Sequence, residues 1–140
     1  MARRKEKPGL MLSFDGARVS PASGFDAEQL QAFPAGTRFL AEPTPRLSDP
    51  VRRKYWATLN DVVKATGIRP TSEALHEAMK WLLSRVDVTY DLIGRPRLVT
   101  QSMAAWNDAE MSAYFDEAMA KLSELVGFDV LSDDVREAAE

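Results

Sequence analysis

Arg46, Arg52, Arg53, Lys54 and Lys64 surround the start of a segment that carries Tyr55 and Trp56, and Arg85, Arg95 and Arg97 follow further on. Grouped cations neutralise phosphates, and aromatic rings among them stack on unpaired bases. This pattern points to nucleic acid, single strands favoured, with Arg46, Arg52, Arg53, Lys54, Lys64, Arg95 and Arg97 as the phosphate contacts. Residues 46–100 hold 10 Lys/Arg against 6 Asp/Glu, a local +4 in a chain of net charge −3. The opposing reading is a solvated helix face whose Tyr55 and Trp56 belong to the core, and their place on the apolar stripe assigns both rings there. Trp81 differs. On a helix it lies about 120° from Leu75 and about 100° from Leu82, off the apolar face. Arg85, four residues on, brings a guanidinium within reach of the indole. Trp81 and Arg85 are therefore read as a stacking surface or a dimer interface, with packing against the N-terminal strands as the other outcome.

Catalytic constellations are not evident. The 7 glycines are scattered singly and form no phosphate loop. The chain has no Cys and a single His, His76. That excludes a disulfide scaffold, a thiolate zinc site, a cysteine nucleophile and a multi-histidine metal site. His76-Glu77 lacks the second His of a zincin helix. Asp87 and Asp91 in the hairpin could bind Mg²⁺ in principle, and solvated strand charges are the default. His76 is expected to sit at the boundary of its helix stripe and make an ordinary hydrogen bond. The sequence is thus read as non-enzymatic, without cofactor or metal, with a metal-dependent nuclease as the outlying alternative.

The elements that position these residues follow from periodicity. Leu10–Phe14 reads as a strand, Asp15-Gly16 as a turn and Ala17–Val19 as the returning strand. Asp26 is expected to cap a short helix that carries Leu30 and stops at Pro34. Thr37–Ala41 reads as another strand. A Pro-rich connector then leads to Ser48 or Asp49 as cap, with Pro50 in the first turn of a helix that runs to about Thr66. Val51, Tyr55, Trp56, Leu59, Val62 and Val63 form its stripe, and Gly67 ends it. Thr71 or Ser72 caps the next helix, whose stripe is Leu75, Met79, Leu82, Leu83 and Val86. Val86–Asp91 and Arg97–Thr100 form a hairpin around Gly94, with Pro96 limiting the pairing. Asn107 and Glu110 make a capping box for the last helix, with Trp106 and Met111 as its hydrophobic staple and Gly127 as its stop.

Length and composition bound the whole. The 140 residues, 45% hydrophobic and 28% charged, describe one folded domain. Strands and helices are partly segregated, which makes α+β the class. The division is a basic flexible arm at 1–7, one α+β domain at 8–128 and an acidic tail at 129–140. The domain joins a mixed part at 8–45 to a helix-hairpin-helix part at 46–128. Residues 101–140 hold only Lys121 and Arg136 against ten acids. The apolar stretch Leu10–Leu12 is far short of the roughly 7–15 residues of a secretion signal and the about 20 of a membrane span. A cytoplasmic location without membrane contact is expected.

The middle of the chain also resembles a known family. Arg46-Leu47-Ser48-Asp49 leads into Arg53-Lys54-Tyr55-Trp56-Ala57-Thr58-Leu59-Asn60-Asp61-Val62. This resembles the NinB (Orf) family of phage recombination mediators. The order downstream is similar too: Glu73 to Lys80 on a helix, a hairpin around Gly94, Gln101-Ser102-Met103, and a last helix with Met111 and Phe115. The similarity spans about residues 46–128; residues 1–45 and the acidic tail depart from it. The chain is likewise similar to an uncharacterised family of small phage proteins that share the Trp helix, and that similarity brings no activity. The NinB resemblance implies an α+β homodimer that binds DNA without sequence preference. It also implies help in loading a recombinase onto single strands coated with single-strand binding protein, in the host-cell cytoplasm. The leading expectation is therefore a phage or prophage DNA-binding accessory protein of recombination or replication. The alternative is a non-catalytic protein-interaction module that binds a host or phage protein through its acidic C-terminal region.

Overall fold

The computed structural model describes residues 7–43 and 50–132. Within them the class is α+β, as expected: four helices and two separate antiparallel strand pairs. The N-terminal hairpin joins β1 (Leu12–Phe14) to β2 (Val19–Pro21), with Phe14 opposite Val19. Its turn is held by Asp15, whose carboxylate accepts the amides of Ala17 and Arg18. Those bonds hold the carboxyl below its ordinary range. Next comes α1 (Gly24–Gln31). Its cap is Ser23, whose hydroxyl accepts the Asp26 amide, and not Asp26 itself. Asp26 is instead drawn into the interior.

Residues 37–41 do not form the expected strand. Thr37 donates through its amide and hydroxyl to Pro34 O in a turn, and Phe39 sets its ring edge-on to Phe33 at 5.0 Å. A strand requires a ladder partner, and β1 and β2 pair only with each other among the described residues.

Three helices build the core. α2 (Pro50–Thr66) buries Tyr55, Trp56, Leu59 and Val62, as its stripe demands. The expected caps of α2, Ser48 and Asp49, lie outside the described residues. α3 (Ser72–Leu82) is capped by Thr71, whose hydroxyl accepts the Ala74 amide. It buries Leu75 and Met79. Leu82 leaves the expected stripe and is half exposed, while Leu83 is buried as the stripe expects. The helix ends there, because Leu83 and then Ser84, at φ 59, depart from helical geometry.

The second hairpin follows, β3 (Val86–Tyr90) and β4 (Pro96–Thr100). A single 3-10 turn, Met103–Ala105, buries Met103. α4 (Asp108–Val126) opens with the Asn107/Glu110 capping box and closes on Gly127 at φ 83. That left-handed angle favours glycine because it has no Cβ. Met111, Tyr114, Ala118, Met119 and Leu122 face α2 and α3 as one cluster.

Both expected tails are partly docked. Lys7, placed in the basic arm, pairs with Glu73 and lies 4.8 Å over the Trp56 ring. Val130, placed in the acidic tail, is buried in the core. Residues 1–6 and 133–140 lie outside the described residues. No helix among the described residues is long and apolar enough to cross a membrane.

Candidate interaction surface

The polar groups divide into those the fold consumes and those it leaves outward. Tyr55, His76 and Tyr114 come from α2, α3 and α4. The Tyr55 hydroxyl lies 2.6 Å from His76 Nδ1 and 2.9 Å from the Tyr114 hydroxyl, all three fully buried. His76 does make a hydrogen bond, but from the centre of the core and not from its boundary. Trp56 covers it with ring centroids 4.6 Å apart. Satisfied polar groups at one point of an apolar core hold three helices in one register, since any shift strands a buried donor or acceptor.

A second buried pair ties the N-terminal part to α2. Arg53 donates to the Asp26 carboxylate and, at 2.9 Å, to Gly9 O. Asp26 also accepts from the Ser23 hydroxyl and the Met11 amide. Burial pushes the Asp26 carboxyl up. The hydrogen bonds from Arg53, Ser23 and the Met11 amide, with the Arg53 charge, outweigh it and hold the group below its ordinary value. Lys80 is buried too, and its ammonium reaches Gln101 O at 3.0 Å and Glu77 at 2.9 Å.

These pairings redistribute the expected phosphate contacts. Arg53 is a buried structural ion and presents nothing to a ligand. Arg52 donates to the carbonyls of Met103 and Trp106, at 3.3 and 2.7 Å, and so pins the 3-10 turn to α2. Lys64 pairs with Glu28 of α1. Arg95 is exposed, with Asp91 at 3.7 Å. Lys54, 6.0 Å over the Phe115 ring, and Arg97 are exposed. Arg46 lies outside the described residues. Lys54 and Lys64 stand about 15 Å apart along α2 by helical rise. The cations are therefore spread over α2 and the second hairpin and not gathered into one patch.

The expected Trp81–Arg85 stack does not form. Arg85 turns toward α4, donates to Glu117 at 2.7 Å and lies 5.7 Å over the Tyr114 ring. An acidic partner on another helix outcompetes an aromatic neighbour on the same one, because a charge-assisted hydrogen bond is the stronger contact. Trp81 is left 49% exposed, beside an equally exposed Leu82. It lies one helical turn beyond Glu77, whose carboxylate accepts the Thr100 hydroxyl at the base of β4.

That hairpin is largely uncovered. Its register is Val86↔Thr100, Val88↔Leu98 and Tyr90↔Pro96 on one face, with Asp87↔Val99 and Thr89↔Arg97 on the other. Alternation therefore makes the first face apolar. At its base Thr100 meets α3 through Glu77, but outward the face is bare: Val88 and Leu98 are each 56% exposed and Tyr90 68%. Leu92 and Ile93 at the tip are exposed as well. The tip is rigidly built. Asp91 accepts the amides of Ile93 and Arg95 at 3.0 and 2.9 Å, and Gly94 takes the left-handed angle, φ 81. Asp87 accepts from the Gln101 side chain at 3.0 Å, so both hairpin carboxylates serve local structure. Among the described residues no group of three or more His, Asp or Glu is placed to hold a metal ion.

The signal for this surface was present in the sequence. Val86-Asp87-Val88-Thr89-Tyr90 alternates apolar and polar residues, the pattern of a strand with one apolar face. Together the fold and this surface define an α+β protein with a helical core and a projecting amphipathic hairpin. No family model matches the chain, and no curated protein and no solved structure matches it either.

Proposed function

We propose that this chain is a non-catalytic protein-interaction module that docks another protein on the apolar face and tip of the β3–β4 hairpin. The observation that carries this reading is the bare row Val88, Tyr90, Leu98, Leu92 and Ile93 on a well-fixed hairpin. Contiguous exposed apolar surface on a rigid element is the mark of a contact site. The docking element differs from the acidic C-terminal region expected from charge, because Val130 anchors the start of that region to the core. The test is photo-crosslinking from Tyr90 in an extract of the cell that makes the protein. A defined protein adduct is expected with the native hairpin and lost in Leu92→Ser/Ile93→Ser. An adduct indifferent to that pair, or none, overturns the reading.

A second reading rests on Arg95, Arg97 and Lys54, the cations left outward, and on the exposed Trp81. It is a sequence-independent single-strand DNA-binding accessory protein of phage recombination, the role that the resemblance to the NinB family implies. A titration of a single-stranded oligonucleotide at two salt concentrations decides it. Binding that weakens steeply with salt and is lost in Lys54→Glu/Arg97→Glu supports it, since phosphate contacts release counterions. Arg53 is unsuited to this test, because reversing its charge breaks the buried pair with Asp26.

A further inference from the structure

We propose that two copies of this chain pair antiparallel along the outer edge of β3, about a twofold axis at Val88. The direction of each backbone group on the hairpin follows from its bonds. Gln101 donates its amide to Arg85 O at 2.9 Å, and Asp91 donates to Arg95 O at 3.0 Å. In an antiparallel ladder, hydrogen-bonded and non-bonded pairs alternate. Residues 87, 89 and 91 therefore spend their amides and carbonyls inside the hairpin, as Arg85 does its carbonyl, while the Arg85 amide donates to Lys80 O. The amides and carbonyls of Val86, Val88 and Tyr90 point outward on β3, and those of Pro96, Leu98 and Thr100 point outward on β4. The two edges are not equivalent. Pro96 has no amide, so the β4 edge lacks a donor where another strand would need one, a usual block to strand addition. The β3 edge has all three amides and all three carbonyls, and the sheet holds two strands among the described residues.

The β3 edge is also complementary to itself. Centred on Val88, the pairing sets Val88 against Val88, Val86 against Tyr90 and Asp87 against Thr89. Every outward amide meets an outward carbonyl in that register. Apolar residues oppose apolar ones on one face, and on the other the acid meets a hydroxyl, so no like charges are opposed. The product is a four-stranded antiparallel sheet, which moves the hairpin out of the marginal two-stranded regime. Its apolar face carries Val88, Tyr90 and Leu98 twice over, a continuous platform on which another protein can still dock. Self-pairing needs no other protein, so it stands or falls separately from the partner proposed above.

The absence of Cys from the chain makes the test clean. Across a hydrogen-bonded antiparallel pair the Cα atoms stand about 5.5 Å apart, within reach of a short bifunctional thiol reagent, whereas a direct disulfide needs Cβ atoms closer than such a pair brings them. Treatment of purified full-length Val88→Cys with that reagent is expected to double the mass from 15.6 kDa. Leu98→Cys, equally exposed but about 14 Å from its copy across three strand spacings, is expected to stay single. Val88→Pro removes an outward amide and no hairpin bond, so it is expected to halve the sedimenting mass of the native chain while the melting transition persists. Equal cross-linking at both cysteines, or a native mass of 15.6 kDa up to about 100 μM with no Val88→Cys link, overturns the proposal.

Discussion

The helical core and the second hairpin treat their polar and apolar groups in opposite ways. In the core, polar atoms are taken inside and, Trp56 Nε1 apart, matched: Tyr55 with His76 and Tyr114, Arg53 with Asp26, Lys80 with Gln101 O. In the hairpin, apolar side chains are held outside and left bare, on a turn fixed by the Asp91 carboxylate. Buried polar pairs lock one arrangement of elements, because breaking one strands its partner away from water. Exposed apolar rows contribute little to the isolated fold and gain only when something covers them. One region thus specifies the structure, and the other is available for contact.

The largest way to break this contrast lies in the core. Arg53→Ala leaves Asp26 buried without its cation and is expected to destabilise the fold by about 3–5 kcal/mol, read by urea denaturation. A loss under about 1 kcal/mol would make the pair a surface-like contact and erase the difference between the regions.

Acid is expected to act on the same pair. The folded-state value of the Asp26 carboxyl lies below its ordinary one, so its contribution is present above the unfolded value of about 3.9 and is lost as pH falls through the folded value. Glu77 behaves alike: burial raises it, and the hydrogen bonds of Lys80 and Thr100, with the charges of Lys80 and His76, bring it below its ordinary value. Melting temperature is expected to decline from pH 5 toward pH 3, with the decline shallower in Asp26→Asn. An unchanged slope in that variant would remove Asp26 from the account.

The smallest expected effect on stability belongs to the hairpin. Leu92→Ser/Ile93→Ser replaces exposed side chains at no buried contact and is expected to change stability by less than about 0.5 kcal/mol. A loss above about 2 kcal/mol would show that the tip packs against the body and is not a free surface.

The elements that local rules govern were legible from the residues. The Asn107/Glu110 box, the stop at Gly127, the α2 stripe and the hairpin around Gly94 each depend on neighbours within about four positions. The misplaced features share a different cause. Ser23 and Asp26 are both good caps, and the choice between them turned on Arg53, 27 positions away. Thr37–Ala41 has strand-like residues and no strand to pair with. Arg85 found Glu117 on α4 in place of Trp81 on its own helix.

The sequence by itself determined the α+β class, three of the helix ends and the rings at the heart of the core, because periodicity and capping are properties of contiguous residues. Only the tertiary structure decided which cations are spent inside and which apolar residues are left outside. Arg52, Arg53 and Lys54 are consecutive in the chain, yet one is tied to backbone carbonyls, one is buried against a carboxylate and one faces solvent. A charge is available to a ligand only if no nearer partner has claimed it, and those partners come from α1, the 3-10 turn and α4, elements that only folding brings together.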